Sequence, residues 1–465
     1  MRTAAFILAM VVGLSAALYS RFYGLLFYLW FSLFRPQEWV WIDVEQYRFS
    51  LMVGLLLVAP SIATGVLPNV RHRISIAMIL LLAAACLAQV NAINPDVAWF
   101  HLSVLIRLVI VSLLLVTLTD TPSRLFLVIA VMATSLGYHG AKFGVSYLVW
   151  GGAQLTAGIG GNFGTNNEFG LGLSRIIFLI ICTAQNIKWL PAKLGYWAVV
   201  PLTALAIVGT YSRGAFLATA CGFLVFLLLQ RRKALTVVAF SAALLVGLKW
   251  APVDTTYVDR LRTIRTYEAE PEQSALGRLH FWKVAMIMVA ANPLGVGLRN
   301  FELGYDHYDF SFGAYQTRRS VHSSHFQALA ETGYAGAALW VFLLGYSLWR
   351  TWRVRRASRS PDLSPDTRRL LFTSANALMA SQVAFIVGGS FHAELLNDLN
   401  WFMFALVAAL DFVSRSAMAG SGLRTAPASA VSPSALPFNG SAVASGEPGA
   451  VARLTYSGGR LRTGL

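Results

Sequence analysis

The chain has 465 residues, 56% of them apolar and only 12% charged, with a mean hydropathy of +0.60. The charged share is about half the usual one and apolar runs recur along the whole length, which excludes a soluble fold and leaves an all-α polytopic membrane protein. The net charge of +16 would point to nucleic acid only if the basic residues formed one face; held in alternate loops, they orient helices in a membrane instead.

The opening stretch MRTAAFILAMVVGLSAALYS lacks a convincing cleavage site and runs into a second apolar piece, so it reads as a retained anchor rather than a secretion signal. Its two short apolar pieces, 4–19 and 22–34, are separated by Ser20-Arg21. Apolar segments of spanning length follow at 49–68, 74–91, 98–118, 124–150, 169–187, 194–212, 214–230, 234–250, 326–349, 370–390 and 401–414. Basic clusters occupy every second junction: Arg71/Arg73, Arg124, Lys188/Lys193, Arg231-Arg232-Lys233, and Arg350 through Arg359. The positive-inside rule assigns those junctions to the cytoplasm. The far side then holds 35–48, 92–97, 151–168, the 210–213 turn, 251–325 and 391–400.

With Met1-Arg2 inside, parity has the first 34 residues cross once, as one broken helix. The total is about twelve spans with both termini inside; two crossings with an outer N-terminus is the alternative. The basic excess is therefore topological and no nucleic-acid partner is expected. The chain divides into N-terminal transmembrane helices (1–250), one large outer loop with amphipathic helices (251–325), C-terminal transmembrane helices (326–415) and an Ala/Ser/Gly/Pro tail (416–465), read as disordered and cytoplasmic. Cys86, Cys182 and Cys221 lie inside apolar runs and read as small core hydrophobes, not a disulfide framework.

Chemistry then belongs to the outer face. GIGGNFGTNNEFG (158–170) fails the spacing of a nucleotide loop and reads as a close-approach loop, with Asn162, Asn166, Asn167 and Glu168 as sugar contacts. Arg213, in VGTYSRGAF, lies between two apolar spans, where a charge is costly without a partner. Of the many loop arginines, most read as solvated ion pairs. Arg262 and Arg265 share a face if DRLRTIRTYE is helical. Arg278 opens an amphipathic stretch whose apolar side carries Phe281, Trp282, Ala285 and Met286, suited to lie at headgroup depth. Arginine fits such work because its fork binds phosphate oxygens bidentately and keeps its charge.

His322 and His325 stand at the edge of the 326–349 segment. Ser324 with Gln327 resembles a capping box, which starts a helix near Ser324 and leaves His322 just before it. The positive end of that helix disfavours imidazolium, and a neutral imidazole beside arginines is equipped as a general base. Two other readings stay open: histidines that are merely hydrogen-bonded at the interface, and an HxxH metal pair. Against the metal, Glu331 falls on roughly the opposite helical side, and neither HExxH nor CxxC occurs. FHAELLNDLN (391–400) puts His392, Glu394 and Asp398 on the same side, lining an entrance or capping helices. A Ser-His protease centred on Ser212 lacks the GxSxG elbow.

The order of these features resembles the O-antigen ligase superfamily. The resemblance rests on TYSRGA with Arg213, Arg278 followed by Trp282, Asn292-Pro293 with Gly295 and Gly297, and His322 nine residues before Glu331 with Gly333. It covers roughly 150–410. Ser323 stands where many members have Asn, and FRPQEWVW (34–41) resembles the branch of O-glycosylation ligases associated with exosortase systems, which puts the acceptor in doubt.

The resemblance implies a GT-C-type glycosyltransferase of the bacterial inner membrane, without cofactor or metal. It would move a glycan from undecaprenyl diphosphate to lipid A–core oligosaccharide at the periplasmic face, among membrane lipids. His322 would be the catalytic base; Arg213, Arg265 and Arg278 would hold the diphosphate; His325, Arg262, Arg299 and Glu331 would contact the acceptor or support the site. An O-antigen polymerase and a protein O-oligosaccharyltransferase are alternatives within the same chemistry. A polyprenyl-glycan transporter is the alternative of another class, disfavoured because hardly any charge lies mid-span.

Overall fold

The structure is a computed structural model that describes residues 2–40, 49–230 and 273–425. Two apolar helices open it, α1 (Arg2–Tyr19) and α2 (Arg21–Phe34), joined at Ser20, whose extended backbone (φ −150°, ψ 132°) breaks the helix. Gly13 of α1 faces the Phe27 ring and Gly24 of α2 faces Ala17. That pairing runs antiparallel, so the first 34 residues form a hairpin and not one broken helix. Small residues at the crossing let the two backbones approach. This is the geometry of the two-crossing alternative.

The remaining helices begin where local capping demands. α3 is Phe49–Ala63 and α4 is Arg73–Leu87, continued by a 3₁₀ turn over Ala88–Asn91. α5 (Pro95–Leu118) starts on Asn94, whose side chain accepts from the Asp96 and Val97 N–H groups, with Pro at the first helical position. α6 (Pro122–Val149) repeats the device with Thr121. A short antiparallel hairpin, β1 (Ala157–Gly160) and β2 (Phe163–Thr165), leads into α7 (Asn166–Asn186) through a reciprocal Thr165–Glu168 capping box. α8 (Leu190–Gly209) and α9 (Arg213–Leu229) follow; then come α10 (Gln273–Ala291), the short α11 (Phe301–Tyr308), α12 (Ser324–Ala357), α13 (Pro365–Gly388) and α14 (Asp398–Thr425).

Among the described residues, nine helices are long and apolar enough to cross a membrane, and three shorter apolar helices join them: Arg21–Phe34, Leu51–Ala63 and Arg213–Leu229. The chain is thus a mostly helical, polytopic membrane protein. The apolar run at 234–250 lies outside the described residues. The last helix runs to Thr425, about ten residues further than the composition change at Arg415 implied. Met1–Gly422 make one unit; of the second, Leu423–Leu465, only the three residues ending α14 are described.

The core sits around α7, which is buried continuously from Phe169 to Ala184. Inside it, Arg175 is held by Asn400 Oδ1 (2.6 Å), Leu399 O (3.3 Å) and the face of Phe385.

Polar contacts sort the connections onto two faces. On one, Ile93 and Asn94 bond Val296 O (3.3 Å) and Asn300 Oδ1 (2.7 Å); Asn162 bonds Asp398 (3.2 Å); and Gly214 abuts His392. These are the segments that charge counting put together on the far side. On the other, His72, Arg350 and Arg415 converge on Asp411, Lys188 meets Asp366 at 2.6 Å, and Arg355 bonds Leu229 O at 2.6 Å. That face collects the basic clusters, as the positive-inside pattern requires.

Candidate functional site

The site forms where α9, α10, α12 and the α13–α14 connection meet. Ser212 caps α9 by accepting from Ala215 N–H, which leaves Arg213 at the first helical position. A cation there runs against the helix dipole, a local cost that points to function. Its neighbour Gly214 lets the next segment close in: a Cβ there would lie 3.1 Å from His392 Cε1 and 3.4 Å from Phe391 Cβ. The guanidinium of Arg278, near the start of α10, lies 5.8 Å from the centre of that same Phe391 ring.

His322 sits one residue before the Ser323 cap of α12, at φ 47°. A left-handed backbone at a non-glycine residue persists only where its surroundings fix it, and such residues cluster at functional sites. Phe281 supplies one surrounding, its ring centre 5.9 Å from the imidazole, and Arg319 lies 5.8 Å from the same ring. Burial, then the charges of Arg278 and Arg319, lower the His322 pKa to about 4. The ring is therefore neutral at pH 7. The fields of two side chains, rather than the helix end, add to the burial.

His392 is the site's second imidazole. It is 9% exposed, its Nδ1–H donates to Gly388 O at 3.2 Å, and burial lowers it to about 4, with Arg278 and His322 adding to the shift. Two residues beyond, burial raises the Glu394 carboxyl above its ordinary range against the pull of Arg175, and neither of its carboxylate oxygens has a hydrogen-bond partner among the described residues.

The helix start expected at Ser324 holds, but the cap is Ser323, which accepts from Phe326 N–H. Ser324 instead donates to His392 O (2.7 Å) and accepts from Glu394 N–H (3.0 Å), while Gln327 Oε1 accepts from Leu395 N–H (3.0 Å). These bonds tie the His322 turn to the His392 segment. His325 turns away: its Nδ1 accepts from Trp340 Nε1–H (3.1 Å) and its Nε2–H donates to Ile386 O (3.0 Å). Both nitrogens are used inside the bundle, so His325 is a peg between α12 and α13.

The glycine motif has a mechanical meaning. α12 is broken at Gly333 (φ 70°, ψ −173°), which frees Ala330 O and Tyr334 N–H from the helix ladder. The 292–297 loop fills both vacancies: Val296 N–H donates to Ala330 O (3.0 Å) and Pro293 O accepts from Tyr334 N–H (3.1 Å). Gly295 and Gly297 turn that loop at φ 93° and 87°. The clasp locks α10, with Arg278, to α12, with His322 before it.

The buried face of α10 is Phe281, Val284, Ala285 and Met288, packed on Phe301, Tyr305, Val321 and Ala330. Met286, expected on that face, is instead exposed, as Leu279 and Ile287 are. Glu331 is buried on the other side, bonded by Gln327 Nε2 (3.1 Å) and by the Arg299 main-chain N–H. Arg299 and Glu331 thus pair with each other through backbone and carboxylate. Arg262 and Arg265 lie outside the described residues.

The 158–170 stretch does allow a close approach, by Arg35 and Glu38 of FRPQEW. These form a 2.7 Å ion pair and pack where Cβ atoms on Gly161 and Gly160 would stand. Asn162, Asn166 and Glu168 spend their side chains on Asp398, Thr210 O and the Thr165 cap, respectively. These bonds make them part of the scaffold on that face. Arg319 and His392 are the residues that sequence reasoning undervalued. Arg319 stands three positions before His322, and His392 on the same expected side, yet nothing local marks either. Among the described residues, no three His, Cys, Asp or Glu side chains gather as metal ligands.

Fold and site together define a many-span membrane protein with two neutral imidazoles among arginines on one face. Residues 198–341, which hold Arg213, Arg278, His322, Glu331 and Gly333, match the family model described as O-antigen ligase, which supports the resemblance to the O-antigen ligase superfamily. Residues 1–192 match a second model described only as a family of unknown function. A search of curated proteins gives no match.

Proposed function

We propose that the protein is an inverting, metal-independent O-antigen ligase of GT-C type in the bacterial inner membrane. It takes a glycan from undecaprenyl diphosphate and places it on a hydroxyl of lipid A–core at the periplasmic face. His322 accepts the proton of the acceptor hydroxyl while its oxygen attacks the anomeric carbon; the carbon–oxygen bond to phosphate breaks and its electron pair leaves with the diphosphate. Arg213 and Arg278, joined by Arg319 and by Arg265, bind the diphosphate and stabilise its growing charge, the work a divalent ion does elsewhere. The observation that carries this reading is a neutral His322 within the fields of Arg278 and Arg319.

The test incubates purified protein with labelled polyprenyl-diphosphate glycan and, in parallel, lipid A–core, a peptide or no acceptor. Label on lipid A–core supports the ligase. Longer lipid-linked glycan without acceptor identifies a polymerase, label on the peptide a protein glycosyltransferase, and label merely moved across a vesicle a transporter.

Two further outcomes are expected. Arg213→Lys loses transfer by at least about tenfold, because a point charge cannot reproduce the bidentate fork; wild-type transfer by that variant would make Arg213 a structural residue. Transfer continues undiminished in excess chelator, and its loss there would return a divalent ion to the mechanism.

A further inference from the structure

On the face that carries His322, a cavity of about 310 Å³ is lined by Val97 and His101 of α5 and by Arg299, Glu302 and Leu303 around the start of α11. None of these residues belongs to the transfer chemistry proposed above. Arg299 is held at φ 58°, again a left-handed backbone at a non-glycine residue, and its Nε is buried without a hydrogen-bond partner among the described residues. Its main-chain N–H is fixed on the buried Glu331 and the adjoining Asn300 clamps the 93–94 turn, so the cavity is built on rigid supports.

The lining offers a guanidinium, from Arg299, and a carboxylate, from Glu302, and the two do not form an ion pair with each other among the described residues. A ligand bearing only negative charge would meet Glu302; one bearing only positive charge would meet Arg299. Complementarity calls for both signs, separated by a short spacer. On α5 the Phe100 ring, 62% exposed, lies 5.1 Å from the imidazole of His101 and sets an open apolar surface next to that lining residue.

We infer that this cavity binds the headgroup of a zwitterionic aminophospholipid, with Arg299 on its phosphate, Glu302 on its ammonium group and its acyl chains along Phe100. The inference is independent of the ligase reading, since its readout is lipid retention and not glycan transfer. The experiment is native mass spectrometry of the full chain, exchanged into mixed micelles holding equal phosphatidylethanolamine and phosphatidylglycerol.

The wild type retains phosphatidylethanolamine over phosphatidylglycerol by about tenfold, the ratio one charge-assisted contact supplies. Glu302→Gln brings that ratio to about one, and Arg299→Gln, which keeps the main-chain N–H on Glu331, loses retention of both lipids. Equal retention by the wild type, or an unchanged ratio in Glu302→Gln, overturns the proposal. Soluble O-phosphorylethanolamine added in excess leaves the bound lipid in place; displacement would show that the cavity serves a free phosphate compound and not a membrane lipid. A thermal midpoint matching wild type establishes that each variant is folded.

Discussion

His322→Ala abolishes glycan transfer while the protein still inserts and folds. General-base removal alone costs about 10²–10⁴-fold in rate. His325 cannot substitute, because both its nitrogens are committed to Trp340 and Ile386; His392 has its Nδ1–H committed to Gly388. Because His322 sits at φ 47°, alanine there adds backbone strain. His322→Asn is the cleaner variant, since asparagine tolerates that conformation and stays polar but cannot take a proton at neutral pH.

Loss in both variants, with unchanged melting and donor binding, supports the base assignment; full activity in His322→Asn removes it. The pH profile adds an independent check. With the folded-state pKa lowered from 6.5 to about 4, the base stays unprotonated through the mildly acid range, so an acid limb belonging to His322 lies near 4 rather than 6.5. Removing one of the lowering charges, as in Arg278→Gln, moves that limb upward.

The architecture was largely legible because a membrane imposes simple rules. Spanning length and the placement of Lys and Arg divided the connections into two groups, and the contacts at Asp411 and between Asn94 and Asn300 join residues within those groups. The hairpin at the N-terminus was misread because parity counts charges and cannot see Gly13 against Phe27. Within the site, His322, Arg213 and Arg278 stood out by local cost: a charge at a membrane edge, a ring before a helix cap. His392 and Arg319 carry no such mark and enter only through tertiary packing. The apolar face of α10 was misjudged for the same reason, since Met286 and Met288 are interchangeable by composition and only the position of α11 decides between them.

Gly333→Ala disrupts the protein more deeply than any other single methyl we consider. A Cβ at Gly333 would overlap Pro293 O and Leu294 C and lie 2.8 Å from Gly295 N, all backbone atoms that no rotamer change can move aside. The residue also needs φ 70° with ψ −173°, a region essentially reserved for glycine, which costs alanine roughly 1–3 kcal/mol. Relieving the overlap would separate the 293–296 loop from α12, break the Tyr334 N–H bond to Pro293 O, and leave Ala330 O unpaired in a buried setting at about 1–3 kcal/mol. The sum reaches the range that marks exceptional destabilisation.

The expected result is a large fall in the thermal midpoint in detergent together with lost transfer, because α10 carries Arg278 and its release would dissolve the field around His322. Gly345→Ala is the matched control in the same helix. Nothing lies within 4 Å of its added Cβ, so that variant should melt at or slightly above the wild-type temperature. Equal melting of the two variants would mean that the glycines turn the chain without clasping it, and that Arg278 is held against His322 by packing along α10 alone.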